Sequence, residues 1–327
     1  MMLSNLKTYF LKLVFFCFVF TTVQVLAQTP SNTKPLIVVL DWVINPDHAP
    51  LLVAEQQGFF KKQGLDVRLI QPSDPADGPK LVAAGKADVA ITYQPQLLIQ
   101  IDQGLPLIRF GSLVDSPLSC VVASKQQGIS SFQDLKNKKV GYSLGGIDQA
   151  MMQTMLQKHG MSLSDIQFIN VRFDLVQGLL SKRLAAFAGG MRNVEPIQLK
   201  FSGFDSQIFL PEANGFPTYD ELIFVANKHQ AHDPRLVQFL TALQQGIEYL
   251  KQNPELAWQG VIKQHPELNN PVNKKIWFAS APYFSPNAWA LDRSKYDNFA
   301  LFLKQQGTIN KVSDLTSYTV QLAPASF

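Results

Sequence analysis

The chain has 327 residues, of which 46% are hydrophobic and 17% are charged, with 29 Lys and Arg against 25 Asp and Glu. This near balance of charge does not indicate a nucleic-acid or membrane-surface partner. A chain of this length can bury an ample core without disulfides, and it is long enough for two lobes.

Residues 1–27 have the pattern of a secretory signal peptide. Two lysines precede the apolar run Leu13–Phe20, which is too short to span a bilayer comfortably, and Val25-Leu26-Ala27 gives small residues before a cut. Cys17 lacks the small preceding residue of a lipoprotein site. We therefore expect cleavage after Ala27, export to the periplasm and a net charge of about +2, because the removed segment carries two lysines and no acid. Cys120 is then the only thiol, which excludes an intramolecular disulfide and a cysteine-based metal cluster.

The first third of the mature chain alternates strands with helices. Leu36–Leu40 is a short, β-branched apolar run typical of a buried strand, and a helical pattern follows it from Leu51 to Gly64. Further strands are predicted at Asp66–Ile70, Ala87–Ile91 and Leu107–Leu113, with a helix ending at Leu81–Lys86. This alternation indicates a parallel sheet.

The pattern then starts again. Strands are predicted at Ser119–Ala123, Lys139–Ser143, Ile166–Val171 and Leu184–Ala188, and helices at Ile147–His159 and Leu175–Lys182. Glu221–Ala226 is predicted to be a returning strand. The sequence thus predicts a two-lobe α/β fold whose lobes are joined by two crossing strands. Lobe I comprises residues 28–118 and 221–327, lobe II comprises residues 119–220, and ligand-driven closure about the two-strand hinge is the expected motion.

The segment from Asp41 to Pro50 joins a strand end to a helix start, the place where α/β proteins bind ligands. Its candidate ligand-binding residues are Asp41, Trp42, Asn45 and His48. Structural alternatives stay open: Asn45 or Asp47 as a helix cap, Trp42 as core, and His48 as a satisfied polar residue. Asp41 is harder to explain structurally, because a lone buried carboxylate is costly.

Equivalent strand-to-helix joints supply the other candidates. They are Tyr93 and Gln94 in lobe I, and Tyr142, Gly145, Gly146, Asn193 and Glu195 in lobe II. Backbone N–H groups at the two glycines could meet an anion or a carbonyl oxygen at a helix start. Asn193 could instead cap the next helix, and Glu195 could simply favour its first turn.

Two kinds of chemistry compete at these joints. Gly141-Tyr142-Ser143-Leu144-Gly145 matches the nucleophile pattern of hydrolases, but a serine nucleophile needs a histidine base, and no later histidine follows a strand with an acidic partner. Flat aromatic rings beside carboxylates instead suit a planar ligand with N–H donors. They do not suit a phosphate, and the chain has neither a phosphate-binding loop nor a dinucleotide fingerprint.

At these residues the chain resembles the thiamin-pyrimidine family, and most closely its ThiY-like branch of binding proteins for ABC importers. The resemblance spans nearly all of the mature chain. The motifs that carry it are Leu40-Asp41-Trp42, Asn45-Pro46-Asp47-His48-Ala49-Pro50, Lys80–Asp88, Tyr93-Gln94-Pro95-Gln96, Gly141-Tyr142-Ser143, Gly145-Gly146, Arg192-Asn193, Glu195 and Tyr219-Asp220-Glu221-Leu222.

The resemblance implies a type II periplasmic binding fold and a formylaminopyrimidine or hydroxymethylpyrimidine ligand. It also implies delivery to an inner-membrane ABC permease, without a cofactor or a metal, by a protein expected to be a monomer that is not an enzyme. Asp41 and Glu195, as ionised carboxylates, would accept hydrogen bonds from ring amino groups. Trp42 and Tyr93 would stack on the ring.

Other branches of this family leave alternatives. One is a pyrimidine synthase that consumes its own histidine and pyridoxal phosphate. Where that branch has a lysine after a strand and a histidine four residues later, this chain has Thr92 and Gln96, and it also lacks the synthase's cysteine-rich iron motif. Another branch binds riboflavin, and more distant relatives bind sulfonates or nitrate.

Overall fold

The computed structural model describes residues 34–323, so the predicted signal peptide lies outside the described residues. Within that range there are two five-stranded sheets. In chain order the strands are β1 (Leu36–Val39), β2 (Val67–Ile70), β3 (Val89–Thr92), β4 (Leu107–Val114), β5 (Ser119–Ser124), β6 (Lys139–Tyr142), β7 (Gln167–Asn170), β8 (Ala186–Met191), β9 (Ser206–Phe209) and β10 (Leu222–Asn227).

The two sheets have matching strand orders, β2-β1-β3-β10-β4 in the first and β7-β6-β8-β5-β9 in the second. In the first, β1 runs parallel to β2 and β3, whereas β10 is antiparallel to β3 and β4. In the second, β6 runs parallel to β7 and β8, whereas β5 is antiparallel to β8 and β9. The strands β1 to β4, whose alternation with helices predicted a parallel sheet, all run in one direction. Only β10 in the first sheet and β5 in the second are antiparallel to their neighbours, because each enters its sheet after the chain crosses from the other one.

Eleven α-helices of the described range cover the sheets. They are α1 (Ala49–Gln56), α2 (Phe59–Lys62), α3 (Asp77–Ala83), α4 (Gln94–Asp102), α5 (Ile147–Lys158), α6 (Leu175–Leu180), α7 (Glu195–Phe201), α8 (Pro234–Gln252), α9 (Pro254–Gln264), α10 (Pro271–Ser280) and α11 (Arg293–Gln305). Within residues 34–323, no helical segment has the length and hydrophobicity of a membrane span.

Local sequence explains where the helices next to the strand ends begin and break. Proline stands in the first turn of α1, α4 and α7, where its missing N–H costs no hydrogen bond. The helix expected from Leu51 to Gly64 is interrupted at Gly58, which has a φ of 70°. Glycine adopts this left-handed conformation at little cost, so the chain turns there between α1 and α2.

The core follows from the apolar strands. Every residue of β3, β4 and β5 is buried, as expected for strands covered on both faces. The longest helix, α8, buries the face that contains Leu236, Phe239, Leu243 and Ile247, and it packs against α1 and α2. The strand ends are thereby held on a rigid scaffold.

The chain passes between the two sheets twice, between Val114 and Ser119 and between Phe209 and Leu222. Glu221, fully buried in the second crossing, ties it to the first. Its Oε2 accepts from the backbone N–H groups of Leu118 (2.5 Å) and Ser119 (2.8 Å), and its Oε1 accepts from Ser119 Oγ (2.8 Å). Burial raises the pKa of Glu221 despite these bonds. We call the first sheet with its helices lobe I and the second lobe II.

Next to Glu221, Asp220 anchors the crossing to lobe I. Its carboxyl oxygens accept from Lys295 Nζ (2.7 Å), Ser112 Oγ (3.1 Å) and Tyr296 Oη (3.2 Å). Its backbone N–H donates to Gln94 Oε1 (2.8 Å). The second crossing therefore ends at a fixed point in lobe I.

Candidate functional site

A cavity of about 270 Å³ lies between the two lobes, where the strand-to-helix joints of both sheets meet. Its polar and aromatic lining includes, from lobe I, Asp41, Trp42, Asn45 and Tyr93, and, from lobe II, Asp148, Phe173 and Glu195. The structure thus brings together five of the predicted residues, Asp41, Trp42, Asn45, Tyr93 and Glu195. Their roles in binding stay a prediction.

The lobe I wall is built around Asp41. Its Oδ1 lies 2.9 Å from His48 Nε2, and its Oδ2 accepts from Tyr93 Oη at 2.8 Å. The Nδ1 atom of His48 accepts from the backbone N–H of Asn45 (3.3 Å), so Nε2 is the nitrogen that carries the proton toward Asp41. His48 itself is fully buried and does not line the cavity. It orients Asp41 rather than meeting a ligand.

Two aromatic rings form one side of the cavity. Trp42 is half-buried and lies edge-on to Phe173, with the ring centroids 4.7 Å apart and the planes at 67°. Phe173 belongs to the joint between β7 and α6 in lobe II, which the sequence analysis did not consider. Phe173 could have been predicted as a site residue because it lies shortly after a strand end, as Trp42 does. Asn45 caps the short turn after Trp42 by accepting from the backbone N–H of Asp47 (2.8 Å).

On the lobe II side, Glu195 is the first residue of α7 and is buried. Its Oε2 accepts from the backbone N–H of Met191 at 2.6 Å. Burial raises the pKa of Glu195 to about 8, and the nearby Asp47 raises it further against the effect of the backbone bonds. With this pKa the carboxyl group of Glu195 is largely protonated at pH 7 in the ligand-free protein, whereas the sequence predicted an ionised carboxylate. A protonated carboxyl group can donate one hydrogen bond as well as accept.

Asp148 is a site residue that the sequence analysis missed. It is buried in the first turn of α5, and its Oδ2 accepts from the backbone N–H groups of Ser143 (2.9 Å) and Leu144 (2.8 Å). Burial raises its pKa to about 7. Asp148 could have been predicted from the sequence as an acidic residue in the first turn of the helix that follows Gly145-Gly146.

Asn193 connects the two lobes instead of lining the cavity. Its Nδ2 donates to Asp47 Oδ1 (2.6 Å) and lies 2.8 Å from Ser280 Oγ, and Ser280 also donates to Asp47 (2.5 Å). Asp47 and Ser280 belong to lobe I, and burial raises the pKa of Asp47. Asn193 is therefore neither the cap of α7 nor a lining residue of the cavity.

The remaining predicted residues lie away from the cavity. Gln94 is buried and holds the Asp220 backbone, and Tyr142 stacks on Phe168 with centroids 4.3 Å apart. Gly146 faces helix α4 of lobe I, where a Cβ would lie 2.8 Å from Gln96 Oε1, whereas a Cβ on Gly145 would meet no atom within 4 Å. Gly146 thus permits close packing of the lobes, and neither glycine lines the cavity.

The hydrolase pattern has no supporting geometry. The hydroxyl of Ser143 donates to the carbonyl oxygen of Arg172, and no hydrogen bond joins it to a histidine among the described residues. His159, the nearest histidine along the chain, bonds instead to Asn214 (2.8 Å). Within residues 34–323, no group of three or more His, Cys, Asp or Glu could hold a metal ion.

Comparison with solved structures defines the fold class. The chain superposes on the aliphatic sulphonate binding protein SsuA of Escherichia coli with a TM-score of 0.68 at 13% identity, over 90% of this chain and 94% of that one. The two sheets, the two crossings and this likeness define a periplasmic-binding-protein fold, as the sequence predicted.

Residues 45–257 match the family described as NMT1/THI5 like, and the chain belongs to that family. It is 44% identical over 295 residues to a thiamine biosynthesis protein of Haemophilus influenzae, covering 90% of this chain and 94% of the relative. It is 32% identical over 260 residues to the formylaminopyrimidine-binding protein of Halalkalibacterium halodurans, covering 77% and 79%. A pyrimidine phosphate synthase of Legionella pneumophila is 28% identical over 90% of this chain and 94% of the relative. The fold and the binding-protein relatives support a solute-binding role.

Proposed function

We propose that this protein captures a thiamin pyrimidine precursor, of the formylaminopyrimidine or hydroxymethylpyrimidine type, and delivers it to an ABC permease. The observation that carries the proposal is the cavity between the lobes, which combines aromatic rings with carboxyl groups and has no Lys, Arg or His among its described lining residues. An aminopyrimidine is flat and carries N–H donors next to ring nitrogen acceptors. The relative named for formylaminopyrimidine binding supports this ligand class.

In this proposal the two walls of the cavity have complementary tasks. Asp41 already accepts one hydrogen bond on each oxygen, and each oxygen keeps a second lone pair for a ligand N–H. The protonated carboxyl group of Glu195 can donate to a ring nitrogen while its other oxygen accepts from an amino group. Trp42 and Tyr93 would supply the rings against which the ligand packs, since both line the cavity, and the hydrogen bond from the Tyr93 hydroxyl to Asp41 would orient the Tyr93 ring.

Export and partner follow from the same role. A binding protein that serves an inner-membrane permease works in the periplasm, which agrees with the signal-peptide pattern of residues 1–27. In the closed form, contacts around the cavity, such as that between Asp47 and Asn193, would hold the lobes together. The permease would recognise this closed form. N-terminal sequencing of the secreted protein should begin at Gln28, and a lipid-modified Cys17 would contradict this assignment.

Mass spectrometry of ligand released from the denatured protein is the direct test. An aminopyrimidine should be released in about equal amount to the protein, and riboflavin, the alternative heterocycle, should not. Titration of the emptied protein should change the fluorescence of Trp42, because that indole lines the cavity. Trp258 and Trp277 are buried in lobe I and serve as an internal reference, so the signal should vanish in Trp42→Phe. A signal that persists in this variant would place Trp42 outside the site.

The synthase is the second candidate, because relatives at 25–29% identity carry that name. Thr92, which stands where that branch has its lysine, is buried at the end of β3 and does not line the cavity. A threonine hydroxyl cannot form a Schiff base. We therefore expect no pyrimidine product after incubation with pyridoxal phosphate and iron. Formation of product would reverse the ranking of the two candidates.

A further inference from the structure

The loop between β6 and α5 lies at the edge of the cavity, and a side chain of α5 takes up N–H groups of this loop. Free backbone N–H groups next to a helix start usually favour anions, because they lack backbone partners and the helix dipole is positive there. Here Asp148 Oδ2 accepts from Ser143 and Leu144, both of which line the cavity. The position that an anionic ligand group could take is therefore filled by the protein's own carboxyl group.

The neighbouring strand is shaped around this carboxyl group. Gly189 of β8 has a φ of 82°, which favours glycine. A Cβ at this position would lie 2.5 Å from Asp148 Oδ1 and 2.7 Å from Oδ2. Gly189 also lines the cavity. Any larger residue there would clash with the carboxyl group and displace Asp148.

The rest of the cavity offers no compensation for a negative ligand. Its ionisable lining residues are Asp41, Asp47, Tyr93, Asp148 and Glu195, all of which are acidic, within the part of the chain that the structure describes. A phosphate ester carries a charge of about −1.5 to −2 at pH 7 and needs Arg, Lys or free N–H donors. The backbone N–H donors of Ser143 and Leu144, which line the cavity, are committed to Asp148.

We propose that Asp148 is a specificity-determining residue that excludes phosphorylated and other anionic forms of the ligand. The cavity then takes neutral or cationic amino-substituted heterocycles only. The identity of the heterocycle rests on the proposed function, whereas the exclusion of anions rests on Asp148, Gly189 and the acidic lining.

The test compares 4-amino-5-hydroxymethyl-2-methylpyrimidine with its phosphate ester by calorimetric titration at pH 8. The wild-type protein should bind the alcohol at least about 100-fold more tightly than the ester, since placing like charges together is strongly unfavourable. Asp148→Asn keeps an oxygen acceptor for Ser143 and Leu144 but removes the charge, and it should reduce that ratio at least about tenfold. Asp134→Asn is the matched control, because Asp134 also accepts two backbone N–H bonds but lies outside the cavity, so its ratio should equal that of the wild type.

A second measurement does not depend on the pyrimidine. Inorganic phosphate at constant ionic strength should leave the melting temperature of the wild-type protein unchanged and should raise that of Asp148→Asn. Equal binding of alcohol and ester by the wild type, an unchanged ratio in Asp148→Asn, or stabilisation of the wild type by phosphate would each overturn the proposal. If the wild type binds neither pyrimidine, the proposed function fails, and the phosphate melts still decide whether Asp148 excludes anions. If Asp148→Asn does not fold, the two wild-type comparisons decide the matter.

Discussion

The two walls of the cavity hold their carboxyl groups in different ways. In lobe I, Asp41 accepts from two side chains, His48 and Tyr93, which belong to separate strand-to-helix joints. In lobe II, Glu195 and Asp148 accept only backbone N–H groups next to their own helix starts, and burial raises their pKa values to about 8 and about 7. Lobe I thus offers an acceptor with fixed orientation, and lobe II offers groups that hold or release a proton near neutral pH.

This difference suggests a division of labour. An acceptor whose orientation is fixed by side chains can select the amino group of a ligand before closure. A carboxyl group with a raised pKa can exchange a proton with a ring nitrogen once closure has removed water, which gives a charge-assisted pair. Substitutions that remove one property at a time test this division between the lobes.

Asp41→Asn should have the largest effect on affinity. The amide can accept from only one of His48 and Tyr93 and turns its NH₂ group toward the other, so the orientation of the group is lost together with its charge. Hydrogen bonds to charged groups contribute about 1.5–3 kcal/mol, so binding of the aminopyrimidine should weaken roughly 100-fold. Titration calorimetry measures this loss, with the surface variant Asp66→Asn as control. Unchanged affinity would remove Asp41 from the site.

Glu195→Gln should weaken binding about tenfold. The amide keeps one donor and one acceptor like the protonated acid, but it cannot pass a proton to the ring, and charge-assisted bonds are roughly twice as strong as neutral ones. Titration calorimetry measures the loss of affinity in this variant, with the exposed Glu248→Gln as control. If Glu195 served only the start of α7, affinity would stay intact while the melting temperature fell.

The stability of the ligand-free protein should fall as pH rises from about 5 to 9. Glu195 and Asp148 have folded-state pKa values above their ordinary values of 4.5 and 3.8, so the folded state holds protons that the unfolded chain releases. This stabilisation is complete below pH 4 and is lost as pH passes through about 7 and 8. In Glu195→Gln the free energy of unfolding should fall less over this pH range, by about 1–2 kcal/mol, which corresponds to roughly 2–4 °C in melting temperature. Parallel curves for the variant and the wild type would contradict the raised pKa.

Asn193→Ala should give the smallest change, about fivefold weaker binding, because a hydrogen bond contributes only about 1 kcal/mol. Asn193 bonds to Asp47 across the lobes without lining the cavity, so its removal should speed ligand dissociation and leave association nearly unchanged. Stopped-flow fluorescence separates the two rates, with the exposed Asn269→Ala as control. An effect confined to association would argue against a role in closure.

The strand ends were the predictable part of the site. Asp41 lies just after the apolar strand β1, and Glu195 begins the helix that follows β8, so their place near the sheet edge follows from hydrophobic periodicity. Gly145 and Gly146 were predicted to meet the ligand, whereas the structure places Asp148, for which no role was predicted, in the lining of the cavity. Which side of a joint faces the cavity depends on how α5 is rotated against α4, and rotation is set by tertiary packing that no local pattern records.

The direction of strand pairing and the hydrogen bonds between distant side chains could not be predicted from the sequence either. The apolar run of β10 predicted a strand, but its antiparallel pairing with β3 and β4 depends on where the chain returns. Asn193 bonds to Asp47 across 146 residues of sequence, a distance over which no periodicity carries information.

The bonds from Glu221 to Leu118 and Ser119 have a mechanical consequence. Because one buried side chain holds both crossing segments, we expect the two segments to bend together. The lobes should then move relative to each other mainly by rotation about one axis. Distances measured between dyes on the two lobes should therefore switch between two values, and Glu221→Ala should broaden them into a continuum.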